Sequence, residues 1–542
     1  MIFYNVIFEK TRIYFFRLIE IIKEWPFISS ILAGLIAKPA FTSREVSLCL
    51  ILSFEIFLIV LQSLFEKKKY LKSFFVGYVF GFFLYCGILY WETYLHDLQM
   101  PWLSFFKYVF YFVGVFYVAF FYAFATFFSI RLARNKISLI VYFSIFVTLG
   151  EMLNSYFFEG YPFTIIGYGT VSIPFFSQIA TIFGSYGVTF FFIFILGLLN
   201  LPKYWKIGLV LYLLIFIHGF YLVCVKKDYL EHHNTFEVSV VEPNFNYKQR
   251  KKKRHYFNCD TIAKLADVNR YSSDTQKRLI VAPENVIWCK EKLIDYFVKT
   301  IAVNENTYAC TGFMEWLQDE KKDLKFYNSM HIYNNEGESI ADVQKSHLLM
   351  FSEKFPNWLF KLKWIPINKL QKFLSNIEKS NMREGNGLNT VKISGIDQFA
   401  ANICYDIICP GMAMKDPLLS TWILNIINLH CYCSEKISDL AHQQNVNCRF
   451  RAIEFGKPIV VCANYGYSCV IDCNGNIIKK LNPDQIGAIH QKFPLKYHVT
   501  TFCFYGQKLI LFLLLFLFFL VFLISLLKNK NIYNFLKNKL KF

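Results

Sequence analysis

The sequence predicts a multi-pass α-helical membrane bundle of about eight spans that carries one extracytoplasmic α/β domain. The chain is 55% hydrophobic and 19% aromatic, and its apolar residues concentrate before about residue 225 and again over 509–527. The stretch between these regions has the composition of an ordinary soluble domain. The net charge of +19 comes from Lys and Arg at the ends of apolar runs, which favours membrane topology over nucleic-acid binding.

The apolar runs are long enough to cross a bilayer, which takes about 20 residues per helix. The first run is short and contains Lys38, so we expect it to be irregular. The predicted spans are Pro26–Phe41, Glu45–Phe65, Ser73–Leu95, Phe105–Ser129, Ile137–Leu153, Tyr186–Leu201, Ile207–Val225 and Leu509–Leu527.

The segment before the first span carries Lys and Arg but lacks a small-residue cleavage site after a short apolar run. It is therefore predicted to be an amphipathic lead-in rather than a cleaved signal peptide. The predicted organisation is a cytoplasmic lead-in (1–25), a membrane domain with seven spans (26–225), a catalytic domain (235–505), a C-terminal span (509–527) and a basic cytoplasmic tail (528–542).

Lys and Arg are distributed unequally between the loops. The loops after the second, fourth and sixth spans and the tail carry them, whereas the loops at about 93–104 and 154–185 contain none. Because positive residues remain in the cytoplasm, both termini are predicted to be cytoplasmic. The domain between the last two spans then lies on the other side of the membrane.

Short β-type runs alternate with helical stretches in this inserted domain, a pattern typical of an α/β sandwich or a doubly wound layer fold. Helices are predicted over Tyr256–Val268, Lys290–Asn304 and Leu440–Phe455. Strands are predicted over Phe236–Val241, Leu279–Ala282, Tyr308–Gly312, Ser329–Tyr333, Phe399–Cys404, Trp422–Leu429, Pro458–Ala463 and Cys469–Cys473.

Three segments of the domain carry candidate chemistry. Glu284 follows an apolar strand, Lys345 and Glu353 lie eight residues apart in an apolar segment, and Cys404 closes another apolar strand. Each has a purely structural interpretation: an exposed carboxylate, a loop salt bridge and a small buried thiol. Together they would supply a nucleophile, a base to activate it and a cation for a developing oxyanion.

In the order Glu, Lys, Cys, these segments resemble the nitrilase superfamily. The surrounding residues resemble its membrane-embedded branch, the apolipoprotein N-acyltransferases, over nearly the whole chain. The segments that carry the resemblance are Gly160–Phe163, Gly167–Tyr168, Tyr327–Ser329, Lys345–Pro356, Arg451–Pro458, Ala463–Ser468, Ile471–Asp472 and Thr500–Gly506.

The resemblance implies an α-β-β-α sandwich with Cys404 as nucleophile, Glu284 as general base and Lys345 as oxyanion stabiliser. Glu353 matches a carboxylate that supports the Lys, Tyr405 lies beside the nucleophile as in the family, and Asp406 stands where the family usually has Glu.

The resemblance also implies what the chain acts on and where. It implies a monomer in the bacterial inner membrane, with the catalytic domain on the periplasmic side. The acyl chain would pass from a phospholipid to Cys404 as a thioester, and then to the N-terminal amine of a diacylated apolipoprotein. Neither a metal nor an organic cofactor is expected, and no nucleic-acid partner.

Two other functions fit the sequence. One is a membrane-tethered amidohydrolase of the nitrilase type that passes the acyl group to water. The other is a non-enzymatic membrane protein whose outer domain binds a partner, and this function predicts that Glu284, Lys345 and Cys404 do not meet.

Overall fold

The computed structural model of the chain divides into two compact units, 1–225 with 505–542 and 226–504. The predicted tail 528–542 and most of the lead-in lie outside the described residues, although residues 16–24 are helical. The structure describes residues 14, 16–94, 106–157, 163, 165–226, 229–230, 234–245, 255–268, 276–287, 291–318, 324–349, 353–354, 382–387, 389–411, 413–430 and 439–527.

The first unit is helical. Seven of its described helices are long and apolar enough to cross a membrane. Its helices are α1 (Pro26–Ile36), α2 (Ser47–Glu66), α3 (Tyr70–Ile88), α4 (Phe106–Leu132), α5 (Lys136–Asn154), α6 (Ala180–Leu199), α7 (Trp205–Phe220) and the C-terminal helix Lys508–Leu527, with shorter turns at Lys38–Phe41, Tyr90–Tyr94, Ile166–Thr170, Phe176–Ile179 and Tyr221–Val225.

The first predicted span differs from the other seven. Helix α1 has 11 residues and is followed by a 3₁₀ turn over Lys38–Phe41. At 1.5 Å per residue, α1 is about 16 Å long, against about 30 Å of hydrocarbon. Lys38 ends the run, and its Nζ lies 4.6 Å from the centre of the Tyr90 ring.

Small residues let neighbouring helices of this unit approach closely, as is common between membrane helices. On α3, a Cβ at Gly77 would lie 2.3 Å from Oγ1 of Thr126 on α4, and one at Gly81 would lie 2.9 Å from Cβ of Tyr122. Helix α3 therefore needs glycine at these two positions to pack against α4.

The second unit contains two six-stranded sheets, ordered β12-β1-β2-β3-β4-β5 and β11-β10-β9-β8-β7-β6. The strands are β1 (Phe236–Glu242), β2 (Lys277–Glu284), β3 (Thr307–Gln318), β4 (Leu324–Tyr333), β5 (Ser339–Gln344), β6 (Thr390–Ile393), β7 (Ile396–Ile403), β8 (Trp422–Asn428), β9 (Ile459–Asn464), β10 (Cys469–Ile471), β11 (Ile477–Lys480) and β12 (Gly487–Lys492).

The two sheets pack face to face, and helices cover their outer faces, so the predicted α-β-β-α sandwich is confirmed. Val281 and Cys310 of the first sheet share one core with Ile403 and Ile426 of the second. The outer face of the first sheet packs against helices α8 (His255–Leu265) and α9 (Glu291–Ile301). Helix α10 (Asp439–Phe455) packs on β9 and β10 of the second sheet, and a five-residue helix follows at Thr501–Tyr505.

The central strands are parallel: β1 with β2 and β2 with β3 in one sheet, and β7 with β8 and β8 with β9 in the other. Parallel strands end at a common edge of their sheet, and side chains at the carboxyl ends of strands often form binding sites. Glu284 is the last residue of β2, and Cys404 directly follows β7.

Candidate active site

Cys404 lies on a sharp turn. Strand β7 ends at Ile403, and a 3₁₀ turn runs from Cys404 to Ile407. The φ angle of Cys404 is +52°, a left-handed conformation that is uncommon for any residue with a side chain. Gln444 donates from Nε2 to the Cys404 carbonyl oxygen at 3.4 Å. A strained backbone of this kind, held from outside, is typical of functional sites.

Glu284 ends β2 as a buried carboxylate. Its Oε1 accepts a hydrogen bond of 2.6 Å from Nδ2 of Asn328 on β4. Its backbone carbonyl accepts one of 2.8 Å from Nδ2 of Asn428, which ends β8 in the facing sheet. Glu284 is thus fixed from both sheets, its carboxylate by Asn328 and its backbone by Asn428, so it is held in place before any substrate arrives.

Lys345 follows β5, and its side chain is only 2% exposed. Its Nζ lies 2.6 Å from Oε1 of Glu353 and 3.9 Å from Oε1 of Glu284. A buried ammonium is stable only when it is paired, and two carboxylates provide that pairing here.

Glu353 and Asn328 connect the members of this cluster. Oε1 of Glu353 accepts from Lys345 and also from Nδ2 of Asn328 at 3.2 Å, and its Oε2 accepts from the backbone N–H of Leu349 at 2.8 Å. Asn328 therefore bridges both carboxylates through a single amide nitrogen. These five residues we call the Lys345 cluster: Glu284, Asn328, Lys345, Glu353 and Cys404.

Asp406 ties the lysine segment to the nucleophile turn. Its Oδ1 accepts from the backbone N–H groups of Ser346 and His347 at 3.1 and 2.8 Å, and its Oδ2 accepts from that of Ile403 at 3.2 Å. Asp406 thus fixes the residues next to Lys345 and Cys404 without joining the cluster itself. The Tyr405 side chain is buried, 2% exposed, directly after the nucleophile.

The charges of the Lys345 cluster shift one another's protonation. Burial raises the pKa of Glu284, although Lys345 opposes the shift and the side chains of Asn328 and Cys404 hydrogen-bond to the carboxylate. Burial also raises the pKa of the Cys404 thiol, and Glu284 raises it further. Burial alone would lower the pKa of Lys345, but Glu353, Cys404 and Glu284 together raise it.

These directions define the resting state: a neutral thiol, a fixed ammonium and a carboxylate more basic than usual. A neutral thiol needs a base beside it to become a nucleophile, and Glu284 is the neighbouring carboxylate whose charge acts most strongly on the thiol. The ammonium can balance an oxyanion that forms beside the sulfur. No group of three or more metal-ligating side chains occurs within the described part of the chain. The arrangement is suited to acyl transfer through a thioester.

The structure brings all six predicted residues to one edge: ion pairs join Lys345 to Glu284 and Glu353, the charges of all three shift the pKa of Cys404, and Tyr405 and Asp406 lie on the turn that Cys404 begins. Sequence reasoning missed two amides, Asn328 and Asn428, which hold Glu284. Asn328 lies in the Tyr-Asn-Ser segment of the family resemblance, and Asn428 is a polar residue closing an apolar strand. Both signals were visible in the sequence.

Two protein families match the chain in succession. Residues 33–198 match the family described as apolipoprotein N-acyltransferase N-terminal domain, and residues 271–497 match carbon-nitrogen hydrolase. Together these matches cover well over half of the chain and fall in its two units.

The chain is also similar to curated relatives and to a solved structure. The apolipoprotein N-acyltransferase of Rickettsia typhi is 24% identical, with 92% of this chain and 98% of the relative covered. That of Pasteurella multocida is 25% identical, with 65% and 68% covered. The structure of Saccharomyces cerevisiae Nit3, a member of branch 10 of the nitrilase superfamily, is 17% identical, covers 48% of this chain and 90% of its own, and has a TM-score of 0.35.

The helical unit matches a domain found in one enzyme family, and the α/β unit has the nitrilase-type sheets with the predicted acyl-transfer residues at one edge. The same family name recurs among the relatives that match the chain. The chain therefore belongs to the apolipoprotein N-acyltransferase family, the membrane-embedded branch of the nitrilase superfamily.

Proposed function

We propose that this chain performs the N-acylation of its family by a two-step route through a thioester on Cys404. The chain is an N-acyltransferase of the nitrilase superfamily, and its family acts on phospholipid and apolipoprotein. The proposal concerns which residue of this chain performs each step of the reaction.

In the first step, Glu284 takes the thiol proton as the sulfur of Cys404 attacks an ester carbonyl of a membrane phospholipid. The Lys345 ammonium balances the negative charge on the tetrahedral oxygen. The intermediate then collapses, the ester C–O bond breaks, and the departing oxygen of the lysophospholipid takes the proton from Glu284. The acyl chain remains on Cys404 as a thioester.

In the second step, the free α-amine of a diacylglyceryl-cysteine attacks the thioester carbonyl. Glu284 accepts a proton from the attacking nitrogen, and Lys345 again balances the oxyanion. The C–S bond breaks, an amide is released, and the proton on Glu284 returns to the sulfur. The protein ends the cycle in its starting state, so no oxidant, reductant or metal enters the balance.

One observation carries the proposal. The ammonium of Lys345 lies between two carboxylates, 3.9 Å from Glu284 and 2.6 Å from Glu353, and the charges of Glu284 and Lys345 both act on the pKa of the Cys404 thiol, which directly follows β7. A non-enzymatic binding domain has no need to gather a thiol, a carboxylate and a cation in one place. Their closeness therefore favours an enzyme.

The setting of the reaction belongs to the same proposal. We infer a monomer in the bacterial inner membrane with both termini in the cytoplasm and the α/β unit on the periplasmic side. The distribution of Lys and Arg between the loops supports this orientation. The two compact units support a membrane domain interrupted by one catalytic domain.

The test separates transfer to an amine from transfer to water. The protein is acylated with a labelled phospholipid, freed of donor, and mixed with a synthetic diacylglyceryl-cysteine peptide. We expect the label to move to the peptide amine as an amide, and to stay on the protein when the peptide amine is acetylated beforehand. Release of labelled free fatty acid at the same rate with either peptide would instead identify a hydrolase.

A further inference from the structure

The hairpin formed by β3 and β4 extends past the edge where the Lys345 cluster lies. Strand β2 ends at Glu284, opposite Gly312 of β3. Strand β3 continues from there to Gln318 and pairs with β4 back from Leu324. These six further residues of β3 span about 20 Å at roughly 3.3 Å per residue. This part of the hairpin, 313–318 with 324–328, we call the outer hairpin.

One face of the outer hairpin continues the interior of the sandwich. Cys310 of β3 and Met330 of β4 point into the core between the two sheets. Because side chains alternate along a strand, the residues two, four or six positions further out share that face. They are Met314 and Trp316 on β3 and Asn328, Phe326 and Leu324 on β4.

This face begins at the active site and becomes apolar and exposed as it leaves it. Asn328, its innermost member, binds both Glu284 and Glu353. Beyond it, Met314 is 38%, Trp316 54% and Leu324 61% exposed. The rings of Trp316 and Phe326 pack with their centres 4.9 Å apart.

The other face of the outer hairpin carries Glu315 and Lys325 together with Phe313, Leu317 and Tyr327, and none of these side chains is fully exposed. The exposed apolar side chains therefore lie on the side continuous with the active site. A contiguous exposed apolar surface usually marks a binding site. In the rest of the sandwich the second sheet covers this face, and its strands β7 and β8 end at Ile403 and Asn428, near the start of the outer hairpin.

We propose that the apolar face of the outer hairpin holds the acyl chain while its carbonyl is bound at Cys404. The inference rests on the proposed thioester route and adds the residues that bind the acyl chain. A carbonyl between the Cys404 sulfur and the Lys345 ammonium has its alkyl chain next to Asn328. Met314, Trp316, Phe326 and Leu324 then form an apolar track about as long as a fatty acyl chain, and burial of each methylene group along it favours long chains.

The experiment compares acyl donors of different length on the full-length protein. The protein is placed in bilayers of ether-linked phospholipid, which contain no ester to compete. The donors are p-nitrophenyl acetate, octanoate and dodecanoate. Acylation of Cys404 is followed by nitrophenolate release and by the mass of the peptide that contains Cys404. The quantity of interest is the ratio of the dodecanoate rate to the acetate rate.

The variants are Trp316→Gln and Leu324→Gln, and the control is Leu419→Gln. Leu419 is 60% exposed, as Leu324 is, but it lies at the start of β8, at the opposite end of the strand from Asn428. In Trp316→Gln and Leu324→Gln we expect the dodecanoate-to-acetate ratio to fall by about tenfold or more, with a smaller fall for octanoate. The control is expected to keep the ratio of the unaltered chain.

Two results would overturn the inference. The control could lose as much of the ratio as the hairpin variants do, or the ratio could stay unchanged in both hairpin variants. If both donors then slowed by one common factor, the hairpin would be a support of the pocket rather than a chain-binding face. If the unaltered chain released nitrophenolate without an adduct on Cys404, the thioester route itself would fail, whatever the hairpin variants did.

Discussion

Two of the groups of charges that the α/β unit buries are built differently. Arg451 and Glu454, both 0% exposed, face each other one turn apart on α10 with 3.0 Å between Nη2 and Oε1. The Lys345 cluster has one ammonium for two carboxylates, and a thiol in addition. The first group is an ion pair of equal and opposite charges. The second has one negative charge more than it has positive charges.

This difference distinguishes buried charges that stabilise the fold from buried charges that take part in a reaction. The two charges of a matched pair do not need to change during a reaction. Removing one of them takes away the buried counter-charge of the other. An unmatched cluster has groups whose protonation can change during a reaction, since the pKa of the Cys404 thiol depends on the charge of Glu284, and that of Glu284 depends on the charges of Lys345 and Glu353. Buried charge therefore indicates an active site when the charges do not balance and a nucleophile is among them.

The largest expected effect is on stability, in the matched pair. Arg451→Met should lower the free energy of unfolding by about 3–5 kcal/mol, because it removes the buried positive charge that faces the Glu454 carboxylate. Urea unfolding of the full-length protein measures this, and acylation per folded molecule should be unchanged. Arg451→Met combined with Glu454→Leu should recover much of the loss. A double variant no more stable than the single one would contradict the pairing.

The next effect is on rate, in the Lys345 cluster. Lys345→Ala should slow both thioester formation and transfer to the peptide amine by roughly 10²–10³, the usual loss for an oxyanion donor. Single-turnover kinetics of the two steps measures it. Slowing of only one step would mean that Lys345 does not balance the oxyanion in both, and unchanged turnover would remove it from the mechanism.

A smaller loss is expected when the carboxylate beside the lysine is neutralised. Glu353→Gln should slow thioester formation by about 10–100-fold, because charge-assisted hydrogen bonds are worth roughly 1.5–3 kcal/mol. The matched control is Glu384→Gln, which breaks the exposed pair of Glu384 and Lys354, 2.9 Å apart. We expect no measurable change in the control. Equal losses in both variants would show that the rate responds to net charge and not to the cluster.

The smallest effect tests the comparison with a third group. His331 lies between Glu315 at 3.0 Å and Asp342 at 2.6 Å, which is also one cation for two carboxylates, but without a thiol. Burial would lower the pKa of His331, yet the two carboxylates raise it above the usual 6.5. A raised folded-state pKa stabilises the protein below pH 6.5, and this contribution is lost as pH rises through the folded-state value.

The unfolding midpoint should therefore fall as pH rises above 6.5, and it should fall less in His331→Gln. Thermal unfolding of both proteins across this range measures the difference. Acylation of Cys404 should not depend on His331, since its side chain points to the face of β4 opposite Asn328. If His331→Gln lost acylation but kept its stability, the proposed difference between the His331 group and the Lys345 cluster would be wrong.

The sequence predicted the central strands of the sandwich and missed its edges. The structure has a strand at each of the eight predicted runs, and the four others, β5, β6, β11 and β12, are the outermost strands of the two sheets. Central parallel strands are buried on both faces and form continuous apolar runs. Edge strands are short and polar, as in Ser339–Gln344, where only Val343 is buried, and such a pattern is not distinct from a loop.

In the active site, too, the sequence located some residues and missed others. The groups proposed to react could be located because Glu284 and Cys404 each follow an apolar strand, Lys345 lies in an apolar segment, and their order resembles a family. The residues that position these groups could not be identified from the sequence. An amide such as Asn328 bonds to both carboxylates only because β4 places it between them in the folded domain. The left-handed backbone conformation of Cys404 could not be predicted either, since a residue with a side chain seldom adopts it.

The central claim is that acylation passes through Cys404 with Glu284 as its base, and peptide mass spectrometry of the protein after mixing with phospholipid tests it most directly. We expect an acyl adduct on the peptide that contains Cys404, cleaved by hydroxylamine as a thioester, absent in Cys404→Ala and strongly reduced in Glu284→Gln. Transfer of acyl chains to the peptide acceptor by Cys404→Ala, or an adduct on a different residue, would contradict the account.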